Sequence, residues 1–399
     1  MFALHDGREV ASIIPVKRIA ITRTIFLVSF CILLQRSAVK IIIRLEPPKR
    51  ILITILDWGL GHATRCIPLI KELQRRNCVV FIATSGRAHD LLKKEFFMTV
   101  RIFEIDGYDP EYPTGDNMAW KLLRQMPKFL RIISKEQLQV EKIVERNQID
   151  LVISDNRYGC YSKKVKSIFI THQLNIQMPN WLKWIEKKVN DKNHEYIKKF
   201  SECWIPAPVD SLIPLLTKNK DELNIRHIGY LSRFEKREIP KMYDVCGICS
   251  GPEPQRGYLD YYLTEQFKES RLKTIIVRGK TDGLGKYNNK GQRFTISNFL
   301  TTEDLNEVIE QSDIIIARPG YTTVMDLAKL SKKAIFIPTP GQTEQNYLAE
   351  ELMKRGIAFY MNQEEFNLET ALEESKKYTG FTSFNFDDSL LKEAVDSIL

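Results

Sequence analysis

The chain has 399 residues, enough for two ordinary domains. Hydrophobic residues make up 43% and charged residues 27%, and no Pro/Gly/Ser-rich or repeated tract occurs, which excludes a disordered or solenoid protein. The net charge of +9 is concentrated at one end: residues 1–50 carry nine Lys/Arg against three Asp/Glu, and the remainder carries 50 against 47, so the near-neutral body argues against nucleic acid as a partner.

Seven cysteines are too few for a disulfide scaffold and odd in number, which fits reduced thiols and a cytoplasmic setting. Residues 1–48 read as an extension outside the fold. Its apolar run Thr24–Leu34 is eleven residues long. A membrane span needs about 20, so a short interfacial anchor is the alternative reading.

From Arg50 onward the pattern becomes regular. Ile51–Leu56 is a continuous apolar run, as a strand buried on both faces requires. A tight turn, Asp57-Trp58-Gly59-Leu60-Gly61-His62, leads into a helical spacing over Ala63–Arg75. Strands follow at Cys78–Ala83, Val100–Ile105, Ile149–Ser154, Lys166–Thr171 and Glu202–Pro206, with helices over Arg87–Phe97, Asn117–Arg146 (broken at Pro127) and Trp181–Phe200. Ile225–Tyr230 and the charged Arg233–Lys241 read as the crossing to a second domain.

The alternation then restarts. Strands are expected at Asp244–Cys249, Leu272–Val277, Phe294–Ile296, Ile314–Ala317 and Ala334–Ile337, and helices at Gly257–Ser270, Thr302–Gln311, Thr322–Leu330 and Glu344–Arg355. Repeated strand–helix–strand units mean doubly wound parallel sheets. The expected architecture is an N-terminal domain over 49–230, a C-terminal domain over 241–380 and a last helix over 381–399. Ligands in such folds bind beyond the carboxyl ends of the strands.

Four post-strand loops carry the chemistry. Gly59-Leu60-Gly61-His62 places an imidazole at the cleft mouth, but Thr64 stands where a dinucleotide fingerprint needs a third glycine, and Thr84-Ser85 offers no acid after the next strand, so a nicotinamide cofactor is disfavoured. Arg318-Pro319-Gly320-Tyr321-Thr322-Thr323 opens a helix whose N-terminus suits an anion, with Asp326 one turn inside. Pro338–Asn346 packs Glu344 and Gln345 at the same edge. Ser250-Gly251, with Arg256 nearby, suits a phosphate. Asp155 ends a strand toward the same cleft and is a rival to His62 as general base. Cys246 and Cys249 lie inside an apolar strand with no second Cys or His pair, so they read as small buried side chains rather than a metal or redox pair. No metal site is expected.

The order and spacing of these loops, over about residues 50–380, resemble glycosyltransferase family 28, a GT-B group that includes the peptidoglycan lipid-intermediate N-acetylglucosaminyltransferases. The G-x-G-H loop resembles that family's glycine-rich loop, one glycine poorer, and Arg318–Asp326 with the Gln-rich helix start at 343–349 resembles its donor signature. The resemblance implies a GT-B fold of two Rossmann-like domains facing a cleft. It implies transfer of a hexose from a UDP-sugar with inversion, no cofactor and no metal, to a glycan or lipid-linked acceptor.

Carried over by position, Phe299 and Leu300 resemble the base-contacting pair, and Gly320, Thr322 and Thr323 the diphosphate site. Asp326 resembles the ribose acid, Glu344 and Gln345 the sugar contacts, and Ser250 and Gly251 a phosphate loop. Gly59, Gly61 and His172 fall on the acceptor side. His172-Gln173 resembles the family's H-E-Q-N stretch with Glu replaced by Gln, a His buried against backbone being the alternative. Gly341-Gln342 and Leu348-Ala349 depart from the family's usual residues beside the Gln pair and leave the sugar open. A GT-B nucleotide-sugar epimerase and a non-catalytic nucleotide-sugar binder are the alternative functions. Basic helices with aromatic anchors (Met118, Trp120, Lys121, Arg124, Lys128, Trp181, Trp184, Lys187) predict peripheral attachment to the anionic inner face of a membrane.

Overall fold

The computed structural model describes residues 47–110, 124–209, 211, 214–218, 223–280, 292–382, 384 and 386–399. The extension expected over 1–48, Met118, Trp120 and Lys121 therefore lie almost wholly or wholly outside the described residues.

The first domain is a seven-stranded parallel sheet in the order β3-β2-β1-β4-β5-β6-β7. Its strands are β1 Arg50–Ile55, β2 Val79–Thr84, β3 Arg101–Glu104, β4 Leu151–Asp155, β5 Lys166–Ile170, β6 Glu202–Ile205 and β7 Ile225–His227. Helices α1 Leu60–Arg75, α2 Gly86–Glu95, α3 Met126–Asn147, α4 Lys183–Ile197 and α5 Pro214–Thr217 connect them. Arg124 is helical, Gln125 is a turn and α3 starts at Met126, so the helical stretch is interrupted just before Pro127, which sits in the first turn of α3, where its missing N–H costs nothing. Residues 117–123 lie outside the described residues.

β7 corrects one expectation. Ile225–His227 is not a crossing segment: Cys203 pairs with Ile225 and Ile205 with His227, making it the edge strand of the first sheet. The crossing begins after it.

The second domain has six parallel strands in the order β10-β9-β8-β11-β12-β13. They are β8 Tyr243–Ile248, β9 Thr274–Val277, β10 Phe294–Ser297, β11 Ser312–Ala317, β12 Lys333–Phe336 and β13 Phe359–Tyr360. Its helices are α6 Gln255–Glu269, α7 Thr302–Glu310, α8 Tyr321–Lys329, α9 Thr343–Lys354 and α10 Leu368–Ser375. The expected last helix is realised as α11, Ser389–Asp396. It returns to the first domain: Leu391, Ala394, Val395 and Ile398 are buried in one cluster with Ile51, Ile67 and Ile70. Cys246 and Cys249 are buried free thiols, as their apolar strand requires.

In both sheets the strand order reverses once, between β1 and β4 and between β8 and β11. The chain leaves those two strands in opposite directions, which opens a crevice at their carboxyl ends. Three of the loops that carried chemistry in the sequence leave from β1, β8 and β11, and the fourth, Pro338–Asn346, leaves from β12 beside β11.

Candidate functional site

At the first crevice, β1 and β4 run in register, Ile55 beside Asp155. Gly59, at φ 90°, turns the chain from β1 into α1, a conformation that needs glycine. The turn brings His62 over the end of β4. His62 Nδ1 lies 2.6 Å from Asp155 Oδ1, and Arg65, one turn further along α1, donates from Nε and Nη2 to the two carboxylate oxygens, each at 2.6 Å.

This corrects the rivalry between His62 and Asp155: they are bonded partners. Asp155 is fully buried and both its oxygens are occupied, so no acceptor can deliver a proton to it. Burial alone would raise its carboxyl, but Arg65 and then His62 outweigh that and hold it far below the usual range. Because the buried carboxylate accepts from Nδ1, the proton of neutral His62 sits there and Nε2 keeps its lone pair. The His62 side chain is 14% exposed and lines the cleft. Burial and then Arg65 lower its proton affinity, against the pull of Asp155, which keeps the lone pair available at neutral pH.

His172 is buried, but its partners are side chains rather than backbone: Arg65 Nη1 at 2.7 Å and Glu344 Oε1 at 2.8 Å. It bridges the domains. Gly61 does the same through its lack of a side chain, since a Cβ there would stand 3.2 Å from Thr322 Oγ1, and that hydroxyl donates to the Gly61 carbonyl at 3.2 Å. The N-terminus of α1 thereby meets the N-terminus of α8. Neither has a side-chain cap, so both first turns keep N–H groups free for a ligand.

Around this contact lies a cleft of about 290 Å³. Its walls bring together Gly59, Gly61, His62, His172, Ser250, Gly251, Phe299, Leu300, Gly320, Thr322, Thr323, Asp326, Glu344 and Gln345, residues that the sequence placed on separate loops. Asp155 stands behind the wall. Arg256 does not join it: it is 4% exposed, it is ion-paired with Glu253, and its Nη1 donates to the Arg278 carbonyl at 2.9 Å, so its charge is spent inside the second domain. Gln345 accepts from the Thr339 N–H at 2.8 Å and braces its own loop.

A larger cavity of about 560 Å³ lies between Lys71 on α1 and Thr302 on α7. Its charged walls are largely self-neutralised, through Lys71–Glu95, Arg75–Glu72, Arg237–Glu303 and Lys329–Asp388. Among the described residues no group of three or more His, Cys, Asp or Glu side chains could hold a metal ion.

Arg65 and Arg233 are among the cleft cations that escaped the sequence reading. Arg65 looks like a surface residue of an amphipathic helix, and only its distance to Asp155 shows otherwise. Arg233 follows β7, and its Nη1 donates to Thr302 at 3.1 Å while its buried Nε has no partner, next to Asp326. No short motif marks either residue.

The geometry can be set beside known proteins. Residues 261–381 match the glycosyltransferase family 28 C-terminal domain, and residues 49–221 match a glycosyl transferase family 1 domain. The chain is 27% identical over 339 residues to the UDP-N-acetylglucosamine–N-acetylmuramyl-(pentapeptide) pyrophosphoryl-undecaprenol N-acetylglucosamine transferase of Buchnera aphidicola, covering 80% of this chain and 87% of that one. It is 22% identical over 320 residues to the Bacillus pumilus enzyme of the same name, covering 76% and 84%. Among solved structures, the glycotransferase of kitacinnamycin superposes with a TM-score of 0.60 at 15% identity, covering 88% of this chain and 98% of that one. Acinetobacter baumannii MurG superposes at 0.52, also at 15% identity, covering 88% and 99%.

Asp326 is open to a direct test. Burial pushes its carboxyl up to about 6, and Arg233 and the Ser232 hydroxyl, which donates at 2.6 Å, offset that only in part. A carboxyl raised on folding costs stability that builds up as pH rises from its ordinary value and is complete above the raised one. Asp326→Asn keeps an acceptor for Ser232 without the charge. Its Tm should exceed that of the wild type above pH 6, and the gain should vanish as pH falls toward the ordinary Asp value near 4. Its UDP affinity should nevertheless drop, by the roughly 1.5–3 kcal/mol of hydrogen bonds to a charged group. Unchanged UDP affinity would remove Asp326 from the site.

By its paired domain matches, its two facing parallel sheets and its structural neighbours, this chain is a glycosyltransferase of GT-B fold that carries a family 28 C-terminal domain.

Proposed function

We propose that the chain transfers a hexose from a UDP-sugar to a saccharide or lipid-linked acceptor, with inversion and without a metal ion. The observation that carries this reading is His62: its Nδ1 is held by buried Asp155, and its Nε2 is free in a cleft that also holds the uncapped start of α8.

An acceptor hydroxyl donates to His62 Nε2 and attacks the anomeric carbon from the face opposite the diphosphate. The bond from that carbon to the diphosphate oxygen breaks, and its electron pair leaves with UDP. The hydroxyl proton stays on His62, where Asp155 stabilises the imidazolium. One displacement of this kind inverts the centre. Positioned general-base help is worth about 10²–10⁴-fold.

Charge developing on the diphosphate falls on the N–H groups of Tyr321–Thr323 and on Arg233, in the place a metal ion would otherwise take. Phe299 and Leu300 would bound the base, Asp326 the ribose diol, and Glu344 and Gln345 the sugar. The relatives named for N-acetylglucosamine transfer to a pyrophosphoryl-undecaprenol acceptor support N-acetylglucosamine as donor sugar and a lipid-linked acceptor.

The acceptor half also carries apolar side chains on its surface. Trp181 is 53% and Trp184 76% exposed at the start of α4, beside Lys183, Lys187 and Lys188, and Met126 and Leu130 are exposed on α3. By contrast Phe129 and Ile132 of the same α3 stretch are core, and Lys128 donates to the Asp109 carbonyl. Among the described residues no helix is long and apolar enough to cross a membrane. We read the Trp181–Trp184 corner as a peripheral contact with the anionic face of a cytoplasmic membrane, where each cation adds about 1 kcal/mol.

Three measurements test this. UDP release from a panel of UDP-hexoses should require acceptor and should fall about 10²–10⁴-fold in His62→Ala with UDP affinity kept. Full activity in His62→Ala would end its role as base. His62 is the cleaner target, because Asp155→Asn strips buried Arg65 of its counter-charge at a cost of about 3–5 kcal/mol. EDTA should leave turnover unchanged; strong inhibition reversed by a divalent cation would overturn metal independence. Residues 49–399 should sediment with anionic but not neutral vesicles at low salt, and Trp181→Ala/Trp184→Ala should stay in the supernatant. A wild-type segment that also stays there would make the corner an ordinary solvated face.

A further inference from the structure

The bonds that begin at His62 do not stop at Arg65. Arg65 reaches His172 Nδ1 at 2.7 Å, and His172 Nε2 reaches Glu344 Oε1 at 2.8 Å. Gln173 Nε2 donates to the other oxygen, Glu344 Oε2, at 2.5 Å. His172 and Gln173 follow β5 in the first domain, and Glu344 opens α9 in the second.

The direction of each bond follows from its partners. A guanidinium has only donors, so His172 Nδ1 accepts; its proton therefore sits on Nε2 and donates to the carboxylate. Read from one end, Glu344 accepts from His172, His172 accepts from Arg65, Arg65 donates to Asp155, and Asp155 accepts from His62. The His172 ring also lies on Tyr321, with centroids 4.4 Å apart and planes at 14°. Glu344 has spent one lone pair of each oxygen on the first domain. Its side chain is still 29% exposed on the cleft wall, so the other lone pairs face the ligand space.

We propose that His172 is a positioning residue that couples donor-sugar recognition to the catalytic base: one ring nitrogen orients Glu344 toward the sugar hydroxyls, and the other braces Arg65 and, through it, the Asp155–His62 pair. The proposal rests on the reading of His62 as base and of Glu344 as sugar contact. Its consequence is that a residue of the acceptor domain sets part of the donor preference.

The charges around the pair agree. Besides Asp155, the groups facing His62 and His172 are Arg65 on α1, Tyr321 on α8 and Glu344 on α9, with Cys66 behind them against Asp155 and Arg233 further along the same wall. Burial would raise the Glu344 carboxyl, yet it is held below its ordinary value by His172 first and then by His62 and Arg65. Charge on His62 is thus felt at Glu344, and by reciprocity an ionised Glu344 favours the proton on His62.

The test uses two substitutions at His172 in the full chain. His172→Phe keeps a ring against Tyr321 and removes both nitrogens. His172→Gln offers an amide oxygen to Arg65 and an amide N–H to Glu344. Calorimetry would measure binding of UDP, UDP-N-acetylglucosamine, UDP-glucose and UDP-galactose. We expect His172→Phe to bind UDP as the wild type does and to lose about tenfold or more of the extra affinity that the best sugar confers, the size of a hydrogen bond to a charged group. His172→Gln should regain most of it. In turnover, the acid limb of kcat/KM should move to lower pH in Glu344→Gln, because the lost negative charge lowers the proton affinity of His62.

An equal loss of UDP and UDP-sugar affinity in His172→Phe would make His172 simple packing and overturn the proposal. So would a Gln variant no better than Phe, a wild type to which no sugar adds affinity, or an acid limb unmoved in Glu344→Gln. Failure of the base reading is separable: His62→Ala would keep its turnover, while the calorimetric comparison would still decide whether His172 orients Glu344.

Discussion

The ion pair between Arg65 and Asp155 is the constraint on which the rest of the site depends. Both side chains are out of water, Arg65 2% and Asp155 0% exposed. Two charges in such a place cost several kcal/mol each to desolvate, and the cost is recovered only if the geometry is good and every remaining donor and acceptor is used. Here it is. Arg65 spends Nε and Nη2 on the carboxylate and Nη1 on His172, and Asp155 spends its remaining capacity on His62 and the Cys66 thiol. Asp155 has no oxygen lone pair left over, and Arg65 has a partner at each guanidinium nitrogen. Their work is to fix two histidines in opposite tautomers, His62 with its lone pair toward the cleft and His172 with its proton toward the second domain.

That arrangement follows from where the pair sits. The crevice between β1 and β4 is the place where a parallel sheet leaves its strand ends uncovered. Asp155 arrives there as the last residue of β4, and Arg65 arrives one helical turn after His62 on the helix that covers β1. The second sheet repeats the geometry between β8 and β11. The two crevices face one another because Gly61 lets α1 and α8 touch end to end, and because α11 carries the chain's end back onto the first domain. His62 and the uncapped start of α8 then stand across one gap, with helix starts on both sides.

Much of the fold was legible in the residues. β1, β2, β4 and β5 are short, mostly apolar runs bounded by turns, the composition expected of a strand covered on both faces. The exceptions are edges. β7, Ile-Arg-His, is three residues long and only half-buried throughout, and β13 is the two residues Phe359–Tyr360. Such segments hold their conformation through pairing with a neighbour and carry almost no local signal. Pro127 is a local signal that held: Arg124 is helical, Gln125 turns, and α3 begins at Met126.

For the site, the sequence by itself determined which loops matter. Glycine, a histidine or a short polar cluster directly after an apolar run marks a strand's carboxyl end, and that is a local property of the chain. It could not divide the work among those loops. His62 and Asp155 looked like competitors because each is a titratable group at a strand end; they are 93 positions apart in sequence and 2.6 Å apart in space. Arg256 looked available for a phosphate and is consumed by its own helix start, whereas Arg65 and Arg233 carried no mark and belong to the cleft. A residue's charge is written in its type, but whether that charge is spent on a neighbour or left for a ligand depends on burial and on partners brought from distant strands, and those exist only once both sheets have formed and closed on each other.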